Sequence, residues 1–175
     1  MKKHLTLSLF FIFLTLVACQ QKQKQTTPEE SAQYREDLIK ANQYLVKQDA
    51  ATIAAFVKRH NWQMTSTKTG LWYSVIEKGS GPAVEKGCDV TLKYKISLLD
   101  GTLCYSSDSL GPKTFRVTQG GVESGLEEGV LLLHQGDKAR FIMPPHLAHG
   151  LIGDQNKIPA RASIVYEVEI INIAK

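Results

Sequence analysis

Hydrophobic and polar positions along the 175-residue chain change regime four times. A basic start, Lys2-Lys3-His4, leads into an apolar run from Leu5 to Ala18 broken only by Thr6, Ser8 and Thr15. The run is shorter than the ~20 residues that span a bilayer and ends in small residues, as a secretory signal peptide does. Gln20 to Thr26 holds nothing that suits a core and is expected to be a flexible spacer. Thr27-Pro28-Glu29-Glu30 then combines a capping hydroxyl, a proline at the first helical position and a glutamate three residues after the cap, which predicts a helix start. Tyr34, Leu38, Ala41 and Leu45 follow at helical spacing, and Asp49 is placed to cap a second helix with Ile53, Phe56 and Val57 on its apolar side. Both stripes are incomplete cores. They are expected to form a helical arm that packs on the following domain or on a second copy of the chain.

Asn61 and Gly70, on either side of the Thr/Ser-rich residues 64–69, mark the exit from helix. From Leu71 the pattern turns to period two in runs bounded by Gly, Pro and Asp, which predicts an antiparallel sheet. The expected strands are Leu71 to Ile76, Val90 to Leu98, Leu103 to Ser106, Lys113 to Val117, Ala139 to Met143 and Ser163 to Ile173. Asp100-Gly101 reads as a type I′ hairpin turn. With Leu99 paired to Thr102, Cys104 would lie across from Ser97, roughly 30 Å along the strand from Cys88 and beyond disulfide reach. Two free thiols are expected. One short helix near Gly125 to Leu132 offers Leu126, Val130 and Leu131 to the sheet, and a turn-rich loop from Pro144 to Pro159 carries His146 and His149. Loops of that length in small domains are usually functional.

Composition mainly excludes. The net charge of +4 comes from 21 basic and 17 acidic residues; without Lys2 and Lys3 it is 19 against 17, or +2, which gives no case for a nucleic-acid partner. Cys19, Cys88 and Cys104 show no Cys-x-x-Cys spacing for zinc or redox chemistry. His146 and His149 stand three apart, as metal ligands can, but no third ligand is placed by the sequence, and the expected metal content is none.

Two resemblances add to this reading. Leu16-Val17-Ala18-Cys19 resembles the lipobox of bacterial lipoproteins, which implies cleavage before Cys19 and anchoring to a lipid bilayer through lipidated Cys19; an ordinary signal peptide with a chance cysteine is the alternative. Gln20, in place of the aspartate that retains some lipoproteins in the inner membrane, leans toward a periplasm-facing protein on the outer membrane. The second resemblance rests on Tyr94 in a strand, Asp100-Gly101 before Ser106-Ser107, Gly125-Leu-Glu-Glu-Gly-Val130, Gly136-Asp-Lys-Ala139, Pro144 to Gly150, and Ile158-Pro159 ahead of Val165-Tyr-Glu-Val-Glu169. In order and spacing these resemble FKBP-type peptidyl-prolyl isomerases over about Leu71 to Lys175. The leader, the helical arm and Tyr-Ser-Ser after the turn resemble the gliding-motility-associated lipoprotein isomerases of Bacteroidetes.

The resemblance implies an α+β fold, an antiparallel twisted β-sheet wrapped on a short helix and preceded by an N-terminal helical arm. The expected segments are a signal peptide over 1–18, a tether over 19–26, the arm over 27–64 and the isomerase domain over 65–175. It implies catalytic walls at Tyr94, Phe115, Leu126, Ile158 and Tyr166 with His149 at the rim, and substrate contacts at Cys104, Tyr105, Val122 and Glu123, the last through its backbone N–H. The same apolar side chains would serve equally as ordinary core. The chain departs from the family at Leu126 for tryptophan, Cys104-Tyr105 for phenylalanine-aspartate, Glu123 for isoleucine and His149 for tyrosine. Partners implied are proline-containing polypeptide clients, an FK506-type macrolide, and a second copy through the arm, with no cofactor. Two function classes follow: an anchored isomerase that assists folding of exported proteins, or a catalytically weak FKBP-like binding module of the cell envelope.

Overall fold

A computed structural model describes residues 28–175; the expected leader, Cys19 and spacer lie outside the described residues. The pair of helices expected before the sheet is a single helix, α1 (Pro28–Arg59). No glycine or proline interrupts residues 46–52, and Asp49 does not cap: its carboxylate accepts from Arg161 Nη2 at 3.0 Å instead. The helix ends at basic Lys58 and Arg59, followed by Asn61 at φ 53°, the left-handed residue that commonly closes a helix.

Residues 42–175 form one compact unit. Its strands are β1 (Thr65–Ser66), β2 (Trp72–Glu77), β3 (Asp89–Leu98), β4 (Leu103–Ser106), β5 (Lys113–Arg116), β6 (Lys138–Met143) and β7 (Ile164–Ala174). Two short helices, α2 (Ser107–Leu110) and α3 (Ser124–Val130), lie between them. The sheet order is β1-β2-β6-β7-β3-β4, with β5 also paired to β3, and every pairing is antiparallel. The two-residue β1 has too little apolar alternation to be visible in the sequence.

The hairpin differs from expectation. Gly101 has a positive φ of 90°, whereas Asp100 does not; a type I′ turn needs both. Gly101 N–H donates to the Leu98 carbonyl and Leu98 N–H to that of Thr102, giving a three-residue loop with a bulge. Leu103 therefore pairs with Ser97 and Tyr105 with Ile96, with the register shifting between them, so Cys104 sits at the bulge rather than opposite Ser97. It still points inward, and Cys88 and Cys104 are both free and buried.

Alternation divides the sheet into two faces. Val90, Leu92, Tyr94 and Ile96 of β3, Phe141 and Met143 of β6, and Tyr166, Val168 and Ile170 of β7 face α3 in the main core. Gly129 permits that packing: a Cβ there would lie 2.7 Å from the Phe141 ring. On the outer face Ile142 and Val165 are covered by Ile53, Phe56 and Val57 of α1. Each of these side chains contributes about 1.5–3 kcal/mol on burial. No helix among the described residues is long and apolar enough to cross a membrane.

Candidate functional site

The face of the sheet that packs on α3 gathers residues from six segments. Tyr94 (β3), Cys104 (β4), Phe115 (β5), Leu126 (α3), Ile158 (the 144–163 loop) and Tyr166 (β7) are all buried in one cluster, with Tyr105 and Val122 packed against it. The strand residues are inward by parity, Leu126 by its place on α3 and Ile158 through its loop, and α3 reaches the sheet because of its glycines. The Tyr94 and Tyr166 rings stand 5.9 Å apart at 43°.

The remaining expected residues, Glu123 and His149, meet at the rim. The Glu123 side chain is only 8% exposed, and His149 Nε2 lies 3.2 Å from its Oε1. Lys113, which the sequence did not single out, shares the inward face of β5 with Phe115. Its Nζ lies 5.1 Å over the Tyr94 ring and 5.7 Å over the Tyr166 ring, donates to Tyr166 Oη at 3.0 Å and approaches Glu123 Oε2 at 3.8 Å. Glu123 Oε2 and His149 Nε2 are buried without a hydrogen-bond partner. His146 belongs elsewhere, against the Thr69 carbonyl at 2.9 Å, so the two loop histidines serve different contacts. No group of three His, Cys, Asp or Glu side chains is arranged to hold a metal ion among the described residues.

Tyr105 finds a partner that the sequence does not announce. Its hydroxyl donates to Asp154, whose Oδ1 also accepts the N–H groups of Asn156 and Ile158 at 2.9 and 2.8 Å. A carboxylate is thus present near the place where the resemblance finds an aspartate missing, supplied 49 residues downstream. It holds Ile158 through that residue's own backbone. Lys157 Nζ lies 5.3 Å over the Tyr105 ring, and Cys104 Sγ is 3.6 Å from the Lys157 carbonyl. Gly153 makes the loop possible: it has φ 71°, and a Cβ there would lie 2.2 Å from the Ile158 carbonyl oxygen.

The site's acid–base character follows from these contacts. Burial pushes the Tyr166 hydroxyl far above its ordinary range, with further upward pressure from the Glu123 charge and from Tyr94. It remains a neutral hydroxyl. The bond to Asp154 raises the Tyr105 hydroxyl, with burial adding to it. Burial alone would raise Asp154, but the bonds from Tyr105, Ile158 and Asn156 and the charge of His149 outweigh it and hold the carboxyl below its usual range. Burial raises the Cys104 thiol, as does the charge of Asp154, leaving it a poor nucleophile. What results is a buried, mostly apolar cluster with neutral hydroxyls inside and a carboxylate-ammonium pair at its edge, surroundings that suit a weakly polar group.

The family described as FKBP-type peptidyl-prolyl cis-trans isomerase matches residues 81–171. The chain is similar to the FKBP-type peptidyl-prolyl cis-trans isomerase FkpA of Escherichia coli K12, 32% identical over 153 residues that cover 83% of this chain and 56% of that protein. A probable FkpA of Neisseria meningitidis serogroup B is 38% identical over 109 residues, 62% of this chain and 39% of the relative. The chain therefore spans about two-fifths to somewhat over half the length of these relatives. Among solved structures, that of E. coli FkpA superposes with a TM-score of 0.60 at 28% identity, covering 99% of this chain and 82% of the other. AtFKBP13 gives 0.62 at 28% identity, covering 64% of this chain and 99% of the other.

Proposed function

Because this chain belongs to the FKBP-type peptidyl-prolyl cis-trans isomerase family, we propose that it speeds rotation about X-Pro bonds of client polypeptides in a cleft walled by the cluster described above. The carrying observation is the convergence of Tyr94, Phe115, Leu126, Ile158 and Tyr166 into one buried cluster beside Glu123. Rotation about X-Pro is opposed by amide resonance, a barrier of about 20 kcal/mol. In the twisted transition state that resonance, and the polarity it confers, is lost. An apolar cleft therefore binds the twisted form better than the planar one, and only such differential binding accelerates the step. Rotation makes and breaks no bond, so a site of this kind needs no cofactor or nucleophile.

In this reading Phe115, Leu126, Ile158 and Tyr166 enclose the proline, with Tyr94 beside them and Val122 at the edge. The Glu123 backbone N–H donates to a substrate carbonyl, a contact that the change from isoleucine to glutamate leaves intact. His149 donates to a second carbonyl in place of the family's tyrosine, and Cys104 and Tyr105 complete the wall. An FK506-type macrolide would compete for the same cleft.

The finer assignment follows from the leader. We infer a periplasm-facing lipoprotein of the cell envelope, on the outer membrane, similar to the Bacteroidetes gliding-motility isomerases and assisting exported proteins. Cys19→Ser is expected to abolish incorporation of radiolabelled palmitate; equal labelling of mutant and parent would overturn the anchor. The isomerase reading is tested with an X-Pro tetrapeptide in a protease-coupled assay, with and without the macrolide. Accelerated exchange that the macrolide suppresses is expected. Peptide binding with no acceleration would instead make the chain a binding module.

A further inference from the structure

The odd feature of the cleft is its charge. Glu123 puts a carboxylate, 8% exposed as a side chain, at the edge of an apolar site, and its Oε2 has no hydrogen-bond donor. The groups that face this carboxylate are Lys113 from β5, 3.8 Å from Oε2, His149 from the loop after β6, 3.2 Å from Oε1, and the hydroxyl end of Tyr166, which takes a hydrogen bond from Lys113. Lys113 does more than pair with Glu123: its ammonium lies over the faces of Tyr94 and Tyr166, two walls of the same cleft. A cation over two aromatic faces and beside a buried carboxylate occupies a cation subsite. The chain's own lysine fills it.

A client that enters the cleft must take the space over Tyr94 and Tyr166, and so must move Lys113. Its departure would leave the buried Glu123 with His149 alone beside it and the lysine ammonium gone, a costly state unless the newcomer replaces that charge. A lysine or arginine next to the client's proline does so and inherits both aromatic faces. A neutral residue does not, and an acidic one adds repulsion. We propose that Glu123, Tyr94 and Tyr166 form a cation subsite that makes the cleft select prolines flanked by a basic residue, with Lys113 as the built-in occupant that such a residue displaces. The proposal rests on the isomerase reading for its site but concerns selection among peptides.

The test uses peptides with Lys, Leu or Glu directly before proline, and a second set with them directly after it. Cis-trans exchange by NMR gives kcat/KM, and titration gives Kd. Because each protein is judged by its own Lys-to-Glu ratio, changes in folded fraction cancel. For the parent chain the ratio is expected to be about tenfold or more in at least one set, the worth of one charge-assisted hydrogen bond. Glu123→Gln should bring it close to one, Glu123→Asp should restore part of it, and Lys113→Met should raise it by removing the competitor. If Glu123→Gln fails to fold, the parent ratio and Lys113→Met still decide. A parent ratio near one in both sets, a preference for Glu, or a ratio untouched by Glu123→Gln overturns the proposal. Absence of any exchange enhancement with the Leu peptide sinks the isomerase reading instead, while the Kd ratios still report on the subsite.

Discussion

On β6 and β7, successive residues serve opposite purposes. Ile142 and Val165 point to the outer face, where Ile53, Phe56 and Val57 of α1 cover them and Trp62, Met64, Trp72 and Leu99 complete the seal. Phe141 and Tyr166, one position away on the same strands, point inward. The outer cluster is made of apolar side chains, and its charges stay at the border: Arg140 stacks 3.7 Å over the Trp62 ring and pairs with Glu167 at 2.6 Å. The inner cluster admits hydroxyls, two thiols and, at its rim, a carboxylate lacking a full set of hydrogen bonds. Polar groups weaken a core unless fully partnered. The outer face thus reads as attachment of α1 to the sheet, and the inner face, in the function proposed above, as a surface that sacrifices some stability for binding.

The comparison breaks most sharply on a pair of truncations. Phe56→Ala should cost about 3–5 kcal/mol of stability and leave kcat/KM per folded molecule unchanged. Phe115→Ala should lower kcat/KM about tenfold or more, equivalent to about 1.4 kcal/mol of transition-state binding, with the variant shown folded by circular dichroism. Equal losses of activity from both would erase the distinction between the faces. A smaller effect is expected from Gly153→Ala, which meets both a left-handed backbone and the Ile158 carbonyl. It should shift the loop carrying Ile158 and reduce activity more than thermal stability; a parent-like kcat/KM would show that the loop does not position the cleft.

The smallest effect concerns pH. The Asp154 carboxyl lies below its ordinary range in the folded chain, so protons bind the unfolded chain more readily over that interval. Its contribution to stability is complete above about pH 4 and is lost as the pH falls through the lowered folded value. Tyr105→Phe removes the hydroxyl bond that helps lower it. Urea midpoints of parent and variant should therefore differ above about pH 4 and converge at lower pH; a constant difference across that range would remove Asp154 from the account.

Much of the sheet was legible because its strands alternate cleanly. β3 runs Val90, Leu92, Tyr94, Ile96 on one face, and no other register buries them all. The motif order around Gly125 to Val130 and Ile158-Pro159 likewise singled out side chains that the fold brings into one buried cluster. The single long α1 was less legible, since Asp49 is as good a cap as it is an ion-pair partner, and Arg161, which decides the matter, lies 112 residues away. Lys113 and Asp154 were missed for the same reason. A lysine opening a strand and an aspartate in a turn look solvated, and only the fold brings one onto two tyrosines and the other onto Tyr105. The bulge at Cys104 depends on which turn residues take positive φ, which a dipeptide alone does not specify.

The most direct measurement is exchange NMR on a Leu-Pro peptide with the intact chain at catalytic concentration. Uncatalysed exchange takes tens to hundreds of seconds. The account predicts acceleration well beyond that rate, competed by an FK506-type macrolide and reduced about tenfold or more in folded Phe115→Ala. Exchange that stays at its uncatalysed rate in the presence of the folded parent chain would contradict it.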